Sequence, residues 1–353
     1  MSVKHERPLR ILASPANQGV NGNPYITQLY GHVATNANVV IDEFSRRRLL
    51  DRYDVVHVHW PEHLVRWERI DLALADVLKV LLLLRVARAR GAKLVWTGHD
   101  LGPHDKATLG LFALFISLFA RQVDLLVSLD HSSIPLLKEK FRPLRHVAVK
   151  VVRHGHYRDA YGMVARASAR SKLGIDEGVT VLATAGMLRR YKNIPRLVRT
   201  FVSLDEPDCL LFVAGQAVGD PAYIGEIQSL VGCNSAVDVR LGAVSVEDMA
   251  LLHAVADVII LPYSLGTSLH SGAAIMGVSM NRPVVVPNTR AMRELRDLVG
   301  SEWVYVFDGD IESALRIAFR AAGEAREESA NLISLEWNRI GRETIEAYRS
   351  IVV

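Results

Sequence analysis

Four short stretches of the chain bring together residue types that do chemistry on polar substrates. In Thr97-Gly98-His99-Asp100 an imidazole and a carboxylate follow an apolar run, the pairing that general acid–base catalysis uses. An Asp at a strand end is often only a helix cap, but the neighbouring histidines, with Gly102 and His104 close by, favour a functional role. In His57-Val58-His59-Trp60-Pro61-Glu62 the alternating histidines share one face of a strand, and Trp60 and Glu62 at its end suit a sugar with a flat apolar face and a carboxylate. No third ligand stands near these histidines, so hydrogen-bonded strand residues are expected before a metal site. Arg189 and Lys192 lie in a loop after a strand, where cations neutralise phosphate oxygens. Ser271-Gly272 opens a helix whose first amides and dipole favour an anion, although an ordinary strand-to-helix turn reads the same way.

Positioning these residues requires strands that end where the site begins. Apolar runs suited to strands covered on both faces recur at Arg10–Ala16, Asp54–His59, Lys93–Thr97, VDLLVS and HVAVKVV, and again at VTVLATAG, CLLFVAG, VDVRL, DVIIL, RPVVVP and EWVYVF. Helical patterns fall between them, at Ile70–Arg90 with Gly91 as C-cap, at Ala107–Ala120, after Pro195, after a Ser245/Asp248 capping box, around Met292–Val299 and over Ala330–Ile351. Arg153 to Tyr157 reads as the crossing into a second domain, giving boundaries at 1–155, 156–329 and 330–353, the last a helix expected to pack back towards the first domain. Gly186 makes a tight turn on the donor side, the strand-end glycines Gly215 and Gly242 leave room for a nucleotide base to lie flat, and Tyr263 and Ser268 belong to a small polar loop before Ser271. The Gln18–Asn23 loop lacks dinucleotide-type glycine spacing and is expected to shape a cleft, which puts Gly22 and Asn23 with Trp60 and His156 on an acceptor side. Asp308-Gly309-Asp310 reads as a turn and cap rather than a metal loop.

The chain has 353 residues, half of them hydrophobic, enough for two ordinary domains, and disorder is not expected. Two cysteines, Cys209 and Cys233, make no disulfide framework or metal pairing, and no apolar leader precedes the first strand, so the cytoplasm is the expected compartment. A net charge of +4 is too weak and too dispersed to argue for nucleic acid, yet fits an anionic small ligand or membrane surface. Ala107–Ala120 is the most apolar window and is too short to span a bilayer. It reads as a core helix or an interfacial one, and with Ile70–Arg90 nearby it suggests a face resting on the inner leaflet.

Taken together, HVHWPE, TGHD, GMLRRYKN, LFVAGQ, ADVIILPY and SGAAIMGVSMNRPVVVP resemble the GT-B glycosyltransferases around the glycosyltransferase 4 superfamily and bacterial exopolysaccharide enzymes, over nearly the whole chain. The resemblance implies an α/β fold of two Rossmann-like domains facing each other across a cleft. It implies Arg189 and Lys192 on the donor diphosphate, the last motif around the donor sugar and its phosphates, and His99 by donor sugar and acceptor. The family's usual pair of glutamates eight residues apart is replaced by Ser268 and Met276, which brings the chain closer to inverting relatives such as β-mannosyltransferases. There a carboxylate deprotonates the acceptor, here Asp100 with Glu62 in reserve. Expected partners are a nucleotide-diphosphate sugar, GDP-mannose or a UDP-sugar, and a glycan or lipid-linked acceptor, with no metal cofactor. A nucleotide-sugar epimerase of the same build and a non-catalytic sugar- or nucleotide-binding module are the competing readings.

Overall fold

The computed structural model describes residues 7–17, 23–101, 109–264 and 269–352. The chain divides into two compact units, residues 1–155 with 334–353, and residues 156–333.

The first unit is built on six parallel strands, β1 (Leu9–Ser14), β2 (Val39–Glu43), β3 (Val55–Val58), β4 (Lys93–Gly98), β5 (Leu125–Ser128) and β6 (Ala148–Val151), in the order β2-β1-β3-β4-β5-β6. Runs such as Val55-Val56-His57-Val58 are buried on both faces, which is what parallel strands under helices on each side require. The order turns back between β1 and β3, and in open α/β sheets a ligand site lies outside the carboxyl ends at such a reversal. β3 and β4 pair Val58 with Trp96, so their chains leave the sheet beside one another and deliver His59–Glu62 and His99–Asp100 together. The helix Trp337–Arg349 returns to this unit and packs on the helix Tyr25–Asn36. Gly341 permits that approach, because a Cβ there would stand 2.7 Å from the His32 carbonyl oxygen.

The second unit repeats the scheme with β7 (Thr180–Ala185), β8 (Cys209–Gly215), β9 (Val237–Leu241), β10 (Val258–Ile260), β11 (Val284–Pro287) and β12 (Val304–Phe307), ordered β12-β11-β10-β7-β8-β9. Its reversal falls between β7 and β10. Asp257 clamps the amino ends of these two strands: it accepts from the Val181 amide and is paired with Arg170 at 2.7 Å and Arg166 at 2.9 Å. The loops free to vary are therefore those at the carboxyl ends. The final helix predicted over Ala330–Ile351 is shorter, because a 3-10 turn at Ile333–Leu335 precedes the helix proper at Trp337. The short strand β2 and the helix Pro221–Gln228 carry no strong pattern in sequence and emerge only here.

Candidate functional site

At the carboxyl ends of β3 and β4, Trp60, Glu62, His99 and Asp100 line one small pocket that opens to solvent. The rest of its wall includes Trp96, Phe112, Ile116 and Phe141, so the carboxylates stand against apolar surface. The segment bearing Glu62 is held from below by the buried Asp76, which accepts from the Arg66 amide and pairs with Arg46 at 2.5 Å and Arg66 at 2.8 Å. Those guanidinium groups keep the Asp76 carboxyl far below the usual carboxylate range. Burial, and secondly the charge of Asp100, push the Glu62 carboxyl up to about 8, so at neutral pH Glu62 holds a proton beside Asp100. Trp60 stacks on His99 with ring centroids 4.3 Å apart.

Behind the pocket lies a buried chain of hydrogen bonds. His99 Nε2 meets His59 Nδ1 at 3.0 Å, and His59 Nε2 meets the Tyr30 hydroxyl at 2.9 Å. His57 Nδ1 lies 2.9 Å from the Tyr30 hydroxyl and 2.7 Å from that of Tyr348, while its Nε2 lies 2.7 Å from Thr97 Oγ1. Burial lowers His57 to about 3 and drives His59 well down, with His57 and His99 adding to the shift at His59, so both rings are neutral. His59 lies just past the end of β3 rather than within it, and its ring bonds to Tyr30 and to His99. Among the described residues no three His, Cys, Asp or Glu side chains gather as metal ligands.

In the second unit the loops after β7 and β10 are stitched together. Asn193, at φ +54°, donates to the Pro262 carbonyl at 2.9 Å, and the Ser264 amide donates to the Tyr191 carbonyl at 2.9 Å. The Lys192 ammonium is buried, sits 5.5 Å from the Tyr263 ring centroid, and lies beside Gly186, 3.6 Å from where a Cβ would stand. Tyr263 is in turn hydrogen-bonded to Ser271, whose side chain caps the helix Gly272–Ser279 by accepting from the Ala274 amide at 3.1 Å. Lys192, Tyr263, Ser271 and the open end of that helix thus form one connected group. Burial, then the positive charge of Arg189, lowers the Lys192 ammonium to about 8. Among the described residues neither Arg189 nor Lys192 has a carboxylate partner in an ion pair.

The three strand-end glycines are neighbours: the Gly186 amide donates to Ala214 O and the Gly242 amide to Gly215 O. Gly242 also lines an open pocket with Phe212, Arg240, Ala243, Val244 and Leu252.

Other candidates stand elsewhere. His156 is buried and is the first residue of the second unit. The Asn23 side chain accepts from the Tyr25 amide at the start of a helix. Gly22, Gly102, His104 and Ser268 lie outside the described residues. Met276 is buried in its helix, and Asp310 caps the helix Ile311–Gly323. Sequence reasoning missed Tyr30, Thr97 and Tyr348 in the first unit and Tyr191 and Asn193 in the second. The one local signal was the Lys192-Asn193-Ile194-Pro195 run, where a left-handed Asn precedes a helix start.

No protein-family model matches the chain. A curated GDP-mannose:glycolipid 4-beta-D-mannosyltransferase of Xanthomonas campestris pv. campestris is 29% identical over 346 residues, covering 95% of this chain and 90% of the relative. Among solved structures, the sucrose-phosphate synthase of Thermosynechococcus elongatus superposes with a TM-score of 0.65 at 13% identity, covering 98% of this chain and 95% of that one. HepE of Anabaena, in complex with UDP-glucose, superposes with a TM-score of 0.63 at 13% identity over 97% of each chain. At such identity the two structures speak for the fold alone.

Proposed function

We propose that this chain, an α/β glycosyltransferase of the GT-B fold, moves a mannosyl group from GDP-mannose to a glycolipid acceptor in the assembly of a bacterial polysaccharide. The observation that carries the reading is the match along 95% of the chain to an enzyme named for that donor and acceptor class. Two features of the chain support it. The group of Arg189, Lys192 and the amides after Ser271 suits a diphosphate, and the glycine-floored pocket at Gly242 suits a base. The Glu62–Asp100 pair suits the other half of the reaction.

In this reading Asp100 removes the proton of the acceptor hydroxyl as that oxygen attacks the anomeric carbon. The bond to the diphosphate breaks, and the charge left on it is met by Arg189, Lys192 and the helix amides. One displacement on an α-linked donor gives a β linkage. Charge stabilisation by these groups needs no metal, so transfer should persist in excess chelator.

A glycolipid acceptor calls for a peripheral location on the inner leaflet. On the helix Ile70–Ala89, Leu74, Leu78 and Leu82 are 48, 71 and 63% exposed at four-residue spacing, and Leu114 on the adjoining helix is 54% exposed. Lys79, Arg85 and Arg121 flank them, the composition of a surface that rests on anionic lipid. No helix among the described residues is long and apolar enough to cross a membrane.

The test is to incubate the purified chain with GDP-mannose or UDP-sugars, with and without glycolipid. Acceptor-dependent GDP release with a mannosylated lipid is the expected result. Sugar interconversion without acceptor would indicate the epimerase, and binding without turnover a non-catalytic module.

A further inference from the structure

Lys192 is 6% exposed, and among the described residues its ammonium makes no ion pair and no hydrogen bond. A cation buried in that condition is costly, and the charge of Arg189 beside it adds to the cost. The neighbouring Arg190 shows the ordinary solution, a carboxylate: it pairs with Asp220 at 2.8 Å. Lys192 has an aromatic ring in that place. Its ammonium stands over Tyr263, 5.5 Å from the ring centroid.

The two loops are tied together on both sides of this contact. Before Lys192, the Tyr191 carbonyl accepts from the Ser264 amide at 2.9 Å; after it, the Asn193 side chain donates to the Pro262 carbonyl at 2.9 Å. These four residues are the immediate sequence neighbours of Lys192 and Tyr263, so the bonds between them bring cation and ring opposite each other. The Tyr191 ring then meets the Tyr263 ring at 73° with centroids 5.5 Å apart, which restrains its rotation. A ring face attracts an ammonium through its quadrupole and takes none of its three N–H donors. A carboxylate there would neutralise the charge and occupy those donors. Burial drives the Tyr263 phenol far above its ordinary value, so the ring itself stays uncharged.

We propose that Tyr263 is a positioning residue for Lys192, whose ring face holds the buried ammonium in place while leaving its N–H groups for an anionic ligand. The functional meaning rests on the reading of Lys192 as a contact of the donor diphosphate, but the contact between ring and cation is a property of the free chain. A ring face favours the charged form of the amine, so it offsets part of what burial and Arg189 take away. The ammonium, already lowered to about 8, would lie lower still over a ring with a weaker face.

Cutting the ring away would also admit water and lessen the effect of burial, so the test keeps its shape. Tyr263→Phe is compared with the same position filled by phenylalanines carrying one, two or three ring fluorines, which drain the ring face and hardly change its size; the hydroxyl is absent from every member. The full chain, labelled with carbon-13 at the lysine Cε, is titrated without nucleotide, and a Lys192→Arg sample identifies the signal. The wild-type midpoint should lie at about 8. From Tyr263→Phe to the trifluorinated ring the midpoint should fall stepwise, by about 0.4–1.5 in pH overall, the span of a cation–π contact. A midpoint that stays level or rises along the series overturns the proposal, and so does a wild-type midpoint at the 10.5 of an ordinary lysine. Calorimetry with GDP at pH 9 on the same samples separates the two readings. Affinity that falls in step with the midpoint joins the ring to donor binding. A midpoint that falls while GDP affinity holds keeps the contact and removes Lys192 from the donor site.

Discussion

Lys192 is an ammonium buried beside Arg189, and both burial and that second cation weaken its hold on its proton, lowering it to about 8. An arriving diphosphate offsets both effects, so the affinity for GDP should depend on the charge of this one group. Calorimetric titration with GDP should show binding that weakens as pH rises through about 8. Lys192→Ala should bind about 10–100-fold more weakly at pH 7, the worth of one charge-assisted contact, and should lose that pH dependence. A wild-type affinity flat from pH 7 to 9.5 would remove Lys192 from the donor site. Glu62 gives the opposite kind of test. Its folded-state value of about 8 lies above the 4.5 expected of a free glutamate, so between those values the folded chain binds more protons than the unfolded one. Stability therefore falls as pH rises across that window: the contribution is full below about 4.5 and gone above about 8. Thermal melts of wild type and Glu62→Gln from pH 5 to 9 should diverge, the wild type losing ground steadily while the amide, which cannot ionise, does not. Asp100→Asn should lower transfer by roughly 10²–10⁴-fold, the range for a general base, whereas Glu62→Gln should mainly alter its pH profile.

At the scale of elements, the site is a consequence of where parallel strands end. An apolar run closing on a glycine is visible in sequence, and so the ends of β4, β7 and β8 with Gly98, Gly186 and Gly215 were legible, as was the Ser271 cap. Such signals are local: the residues that make them stand within a few positions of one another. What was not legible is contact at long range. His57 meets Tyr348 291 positions away, and Tyr30 sits on a helix face with Ile26, Leu29 and Val33, where a tyrosine reads as core. Lys192 was legible as a cation but not as a buried one, because its cover comes from Tyr263 on another loop. The element-level prediction concerns the seam between β7 and β8. Gly215 adopts φ +151°, and a Cβ there would stand 1.8 Å from the Gly186 carbonyl oxygen, which is backbone and cannot rotate away. Gly215→Ala should therefore push the two strand ends apart, costing about 2 kcal/mol or more in denaturant titration and displacing Gly186 from Lys192. A variant with wild-type stability and GDP affinity would show that the seam does not shape the donor loop.

At the scale of the whole molecule, the first unit is assembled from two stretches of sequence separated by the entire second unit. Its core draws Trp337, Ile340, Ile345 and Tyr348 from the last helix into one cluster with Tyr25, Ile26, Leu29, Tyr30 and Val33. Among the described residues, the second unit's cluster from Leu182 to Ala321 draws its buried members from that unit. Removing residues 334–353 should therefore act on one unit alone. Burying a large apolar side chain stabilises by about 1.5–3 kcal/mol, so four of them account for about 6–12 kcal/mol, comparable to the whole stability of an ordinary domain. The truncated chain should lose the first unit's cooperative transition in calorimetry, and with it the ordered His59–His99 pair, because Tyr348 and the cover over Tyr25 go together. GDP binding, which the proposed function gives to Arg189, Lys192 and the helix opened by Ser271, should survive with the second unit's own transition intact. A truncated chain that melts as the full chain does would show that the last helix contributes little to the first unit. Loss of both transitions together would show that the two cores are not energetically separate, and the assignment of donor binding to residues 156–333 alone would fall with it.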